Sequence, residues 1–148
     1  MRYLLDTVVL IWAVRGLREA PRVLRLLRGR GDLAVASITL LELRRALLPE
    51  EFRRAEEELE GMRVLPLDAA TARAAGDYLV RCAEEGYRID FFAGIIQATA
   101  ARAGRALVTY GPHHYPLADC EIVPLAELVG TADGADPRGP GRDPGSGR

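Results

Sequence analysis

The chain contains no lysine and no asparagine, and all twenty of its basic residues are arginine. A Walker-type phosphate loop cannot be built without its lysine, so ordinary P-loop nucleotide hydrolysis is excluded. Receiver domains of phosphorelays, which combine an early acid with a lysine, are excluded on the same ground. A GC-rich genome favouring Arg and Ala codons is the plain cause of this bias, with selection for guanidinium chemistry as the alternative. Cysteine is scarce: Cys82 and Cys120 are too few and too far apart for a metal-ligand motif or a disulfide framework. They are expected to be buried free thiols in a reducing compartment. No apolar run approaches the length of a membrane span, and no charged-then-apolar leader is evident, so the expected location is the cytoplasm with no membrane partner. Net charge is −1, which argues for neither a nucleic-acid-coating protein nor an acidic tail protein.

What is present is a chain of 148 residues, enough for one domain with a single core. Short apolar runs alternate with longer helical patterns, the arrangement of βαβ units around a parallel sheet. Strands are expected near Tyr3–Asp6, Leu33–Ala36, Arg63–Leu65, Ala106–Thr109 and Glu121–Val123. One helix follows Asp6, and a second opens after Glu19 with Pro21 in its first turn. Further helices are expected from Thr39, from Pro49-Glu50-Glu51, from about Asp68 to Glu85, and from near Asp90 to Ala103, with Gly104 as the stop. From Gly130 the composition turns to Gly, Pro, Asp and Arg without aromatic or branched aliphatic residues. The expected division is therefore a domain over 1–129 and a disordered Gly/Pro-rich tail over 130–148.

Three acids stand at expected strand-to-helix turns. In Tyr3-Leu4-Leu5-Asp6-Thr7, a strand ends in Asp6 and a helix follows at once, which sets a carboxylate at the edge where open α/β sheets bind ligands. Glu42 lies in Ser37-Ile38-Thr39-Leu40-Leu41-Glu42, in the first turn of the helix expected from Thr39. Thr39-x-x-Glu42 also fits a capping box, the structural alternative for this acid. Asp90 precedes the apolar run Phe91-Phe92-Ala93-Gly94-Ile95-Ile96, where an N-cap is the alternative. Asp68 reads only as a cap.

In these motifs the chain resembles the PIN-domain family, and within it the VapC-type ribonuclease toxins. The resemblance covers about residues 1–129. It rests on Leu5-Asp6-Thr7, on Ser37-x-Thr39-x-x-Glu42-Leu43, on Asp90-Phe91 leading into Ile95-Ile96-x-Ala98-Thr99-Ala100, and on Leu107-Val108-Thr109. It implies a three-layer α/β/α sandwich around a mainly parallel sheet of about five strands. It further implies a divalent-metal-dependent endoribonuclease, the toxin of a type II toxin–antitoxin pair. Asp6, Glu42 and Asp90 would be its catalytic and metal-holding acids, with Mg²⁺ or Mn²⁺ as cofactor and RNA as substrate. A cognate antitoxin and a homodimer are the implied partners. Hard divalent cations take carboxylate oxygens, and three converged carboxylates need such an ion to offset their repulsion. A degenerate module that binds RNA or a protein without catalysis is the competing reading.

The chain departs from the family pattern at Ala93, where an acid is usual, and at Gly111, where an acid or amide is usual. Asp90 is displaced from position 93 by three residues, about 4.5 Å along a helix and about 60° around it. His113 and His114, the only histidines, follow Gly111-Pro112 on the loop expected to overhang this edge. His114 is the candidate ligand or general acid of the pair, against the plainer reading of two exposed turn residues. Arg18, Arg22 and Arg25 share one helical stripe, an RNA-guiding face or a plain solvated one. The acidic run from Glu50 to Glu60 reads as solvated helix with internal pairs.

Overall fold

The computed structural model describes residues 1–133. Five strands form one sheet: β1 (Arg2–Leu5), β2 (Asp32–Ala36), β3 (Arg63–Leu65), β4 (Ala106–Thr109) and β5 (Ile122–Pro124). Every pairing is parallel, in the order β3-β2-β1-β4-β5. The strands are too short for long ladders; their apolar content places them. Residues alternate between the faces, as a period of two requires. Tyr3, Leu5, Leu33, Val35 and Val108 enter one core, while Leu4, Ala36 and Leu107 enter another on the opposite side. Two cores on one sheet make the expected α/β/α sandwich.

The first core is covered by α1 (Thr7–Val14), α2 (Ala20–Arg30), α4 (Phe52–Leu59) and α7 (Leu125–Asp133). Helix α1 is apolar nearly all round because α2, α3 (Ser37–Ala46) and α4 all pack on it. Helix α2 turns Val23, Leu24 and Leu27 inward, all fully buried, as its spacing indicates. The second core is covered by α6 (Phe91–Arg102), with Ile96 and Ala100 on the sheet and α5 (Ala69–Glu84) packed outside.

Two elements differ from the sequence reading. Helix α3 starts at Ser37, with Ala36 as its cap, two residues earlier than the expected Thr39. Helix α7 was not anticipated; Leu125 and Leu128 bury against the first core, and the helix runs through Gly130 to Asp133. The expected disordered tail lies, from residue 134 onward, outside the described residues. Cys82 is a buried free thiol and Cys120 a half-buried one. Among the described residues, no helix is long and apolar enough to cross a membrane.

At the end of the sheet where the strands begin, buried Arg105 donates to the carbonyls of Tyr3 and Asp32 and to the Asp32 carboxylate at 2.9 Å. The guanidinium holds that carboxyl below its usual range. It also ties β1, β2 and the entry to β4 together.

Helices α5 and α6 meet at Gly94, where an added Cβ would stand 2.9 Å from Leu79 Cδ2. Gly94→Val is expected to cost about 1–3 kcal/mol by overpacking. Gly76→Ala, in open space inside α5, is expected to gain up to about 1 kcal/mol. Thermal denaturation of the two variants reads both signs.

Candidate functional site

The strand order reverses beside β1: the chain moves outward to β2 and β3, then returns to lay β4 and β5 on the other side. The C-terminal ends of β1 and β4 therefore flank a topological switch point, where open parallel sheets form their ligand crevice. Asp6 follows β1, and Thr109 ends β4.

Asp6 is only 9% exposed. Its Oδ1 accepts from the backbone N–H of Thr7 at 2.8 Å and caps α1. Its Oδ2 accepts from the Thr109 hydroxyl at 2.7 Å and from the Tyr115 phenol at 2.9 Å. Burial, followed by the charge of Asp6, pushes the Tyr115 phenol far above its ordinary value, so it stays a donor. Three donors on one buried carboxylate make Asp6 the most rigidly held acid of the edge.

Glu42 is joined to Asp6 by one residue. The Thr7 hydroxyl donates to Glu42 Oε1 at 2.7 Å, so the Thr39 hydroxyl, 2.9 Å away, must donate to Thr7. The capping-box alternative is thereby corrected: Thr39 is buried inside α3, and Glu42 reaches across to α1. Glu42 Oε2 keeps no protein donor among the described residues. Burial raises the Glu42 pKa; the Thr7 bond opposes the rise, while the charges of Asp6 and Asp90 add to it and Arg45 counters it.

Asp90 stands at the N-cap position of α6, yet its side chain makes no capping bond. That carboxylate is exposed and shares a cleft of about 410 Å³ with Glu42, Arg45, Thr7 and Phe92. Asp68, by contrast, caps α5 through Thr71 N–H at 2.8 Å. A separate cleft of about 610 Å³ between α3 and α4 holds none of these three acids.

The remaining candidates fall elsewhere. His113 and His114 are exposed in a 3-10 turn (Pro112–His114), with their rings 4.1 Å apart and neither lining the carboxylate cleft. A Cβ at Gly111 would stand 2.4 Å from His114 Cδ2, so a side chain there requires that imidazole to move. Ala93 packs against the second core. The expected stripe does not form as one helical face, because Arg18 precedes α2 in a left-handed conformation. Arg22 pairs with Glu19 at 3.0 Å, and Arg28, farther along α2, pairs with Glu58 at 3.1 Å. In the acidic run, Arg53 and Glu57 form an internal pair, whereas Glu51 reaches Arg15. Thr7, Arg45 and Tyr115 also belong to the edge: Thr7 lies in the Leu5-Asp6-Thr7 motif and Arg45 one helical turn after Glu42, whereas nothing local in the sequence marks Tyr115.

The donor set suits a hard divalent cation in part. Glu42 and Asp90 present carboxylate oxygens to one cleft, and Glu42 is an anion its surroundings disfavour. Three donors occupy most of the acceptor capacity of Asp6, both sites of Oδ2 and one of Oδ1. Among the described residues, no three His, Cys, Asp or Glu side chains are grouped so as to hold a metal ion.

A model of the PIN domain matches residues 3–119. No curated protein matches the chain. Among solved structures, the fold is similar to VapBC2 from Rickettsia felis bound to a DNA fragment from its promoter. That match has a TM-score of 0.75 at 18% identity, covering 84% of this chain and 98% of that one. It is similar also to FitAcB from Neisseria gonorrhoeae, with a TM-score of 0.66 at 27% identity over 82% and 96% of the two chains. A third is VapBC-5 from Mycobacterium tuberculosis, a member of the VapBC family of toxin–antitoxin systems. Its TM-score is 0.58 at 23% identity, over 83% and 98%.

Proposed function

Because the chain belongs to the PIN-domain family, we propose that it is a divalent-metal-dependent endoribonuclease. We further propose that it acts in the cytoplasm as the toxin of a type II toxin–antitoxin pair. The carrying observation is the placement of the acids: half-buried Glu42 lines one cleft with Asp90 and is tied to the turn of Asp6 through Thr7, at the switch-point edge of a parallel sheet. There burial first, and then the charges of Asp6 and Asp90, disfavour its anion. Acids set against one another at a ligand crevice suit a cation and burden a purely structural edge.

Glu42 and Asp90 would hold Mg²⁺ or Mn²⁺ through their free oxygens. Asp6 would add its charge and fix Glu42 through the Thr7 hydroxyl. Such an ion lowers the pKa of its bound water and offsets charge on the phosphoryl oxygens. Arg45, in the same cleft and without an ion pair among the described residues, is placed to take a non-bridging phosphate oxygen. The antitoxin partner is supported by the solved relatives named as toxin–antitoxin systems. The homodimer is supported by the family alone.

The second reading, a PIN module that binds RNA or protein without cutting, is favoured by the three donors on Asp6 and by the missing acids at Ala93 and Gly111. One assay separates the two. Antitoxin-free protein is incubated with single-stranded RNA in Mg²⁺, Mn²⁺ or EDTA, beside the Ala93→Asp variant. Metal-dependent cutting by the unmodified chain is expected. Cutting by Ala93→Asp alone would instead establish the second reading.

A further inference from the structure

The link between α1 and α2 carries a conformation that its residues disfavour. Arg18 and Glu19 stand consecutively at φ +53° and +62°, a region that residues with a Cβ seldom adopt. Stacking holds it there. The Arg18 guanidinium lies over the Trp12 ring, 5.2 Å from its centroid, and over the Tyr110 ring at 4.6 Å. The Tyr110 phenol donates in turn to the Arg18 carbonyl.

These contacts hold the guanidinium against two rings and leave its N–H groups without a protein acceptor among the described residues. Arg18 is exposed, and its side chain has no hydrogen bond or carboxylate partner among the described residues. Glu19, the nearest acid in sequence, is paired with Arg22 at 3.0 Å. Arg15, Arg28, Arg44 and Arg81 all have carboxylates. The position also matters. Tyr110 directly follows Thr109, whose hydroxyl binds Asp6, so the arginine is pinned to the loop that anchors the candidate site.

An arginine oriented by its faces and unpaired at its edge suits a phosphate, which the planar fork can grip with two parallel hydrogen bonds. We propose that Arg18, clamped by Trp12 and Tyr110, binds a backbone phosphate of single-stranded RNA flanking the bond to be cut, an assignment that rests on the nuclease reading above. RNA is favoured over an acidic peptide because ring surfaces border the guanidinium. The exposed His113–His114 pair, three residues beyond Tyr110, offers ring faces on which unpaired bases stack.

Trp12 is the only tryptophan in the chain, so its fluorescence reports on this site without a label. A mixed-sequence single-stranded RNA decamer is titrated into the protein in EDTA, where metal-dependent cutting is absent, at several salt concentrations. A saturable change in Trp12 emission is expected. Arg18→Gln is expected to weaken binding about tenfold and to lower the salt-dependence slope by about one. Arg54→Gln, on α4 and without a partner among the described residues, is expected to leave both unchanged. Arg18→Lys keeps the charge but not the planar fork, and should recover only part of the affinity. It also carries the comparison if Arg18→Gln loses its cooperative melt. RNA binding by the unmodified chain that Arg18→Gln and Arg18→Lys leave intact would overturn the subsite and spare the nuclease reading. No RNA binding by the unmodified chain would overturn both. A poly-glutamate peptide that displaces the RNA at equal charge concentration would overturn the assignment to RNA.

Discussion

Glu42→Gln is expected to lower RNA cleavage by about 10³-fold, the equivalent of several kcal/mol of lost charge stabilisation at the phosphoryl centre. The same substitution is expected to raise the melting temperature of the metal-free protein. Both effects have one source. The folded protein half-buries the Glu42 carboxylate near Asp6 and Asp90, which raises its pKa above the ordinary 4.5. Below pH 4.5 the group is protonated whether folded or unfolded, and its contribution to stability is complete. As the pH rises through the higher folded value, the native state must carry an anion it disfavours, and that contribution is lost. Glutamine is never charged, so its advantage should be present at neutral pH and vanish below pH 4.5. Thr7 can still donate to the amide oxygen, which keeps the local geometry. Melting curves at pH 4 and pH 7, beside the cleavage assay, test the pair. A variant that is inactive and also less stable at neutral pH would make Glu42 a structural residue.

Asp6→Ala should act in the opposite sense on stability, and strongly. The substitution removes the α1 cap, worth about 1 kcal/mol. It also strands the buried Thr109 and Tyr115 hydroxyls, at about 1–3 kcal/mol each when no partner replaces the carboxylate. A total of about 3–7 kcal/mol follows, which for a domain of this size is a fall of roughly 10–20 °C in melting temperature. Asp6→Asn retains one oxygen for the Thr7 N–H but meets two hydroxyl donors with an amide NH2, so an intermediate loss is expected. Differential scanning calorimetry of the three proteins measures the order. If Asp6→Ala melts with the parent, the three hydrogen bonds do not hold the edge together.

The sequence reading located all five strands to within a residue or two, because short apolar runs between helical patterns leave few other placements. It also located Asp6, since a strand that ends on an acid and turns straight into a helix has one geometry. Failures came where the decisive partner is distant in sequence. Thr39-x-x-Glu42 satisfies the capping-box pattern, yet Thr7, 32 residues before Thr39, takes both side chains. Tyr115 is 109 residues from Asp6, and Arg105 is 73 from Asp32; neither spacing leaves a local mark. Helix α7 is short and adjoins a Gly-rich stretch, and its two buried leucines acquire meaning only against the core they cover. For the site, sequence supplied which acids reach the edge. It could not supply the direction of each carboxylate. That direction gives Asp6 three protein donors and leaves Glu42 and Asp90 facing a common cleft.

The central claim is that these acids form a cation site, and calorimetric titration of Mn²⁺ into the antitoxin-free protein tests it most directly. One saturable ion per chain is expected, abolished by Glu42→Gln and weakened by Asp90→Asn. No saturable heat, or binding that survives both substitutions unchanged, would contradict it.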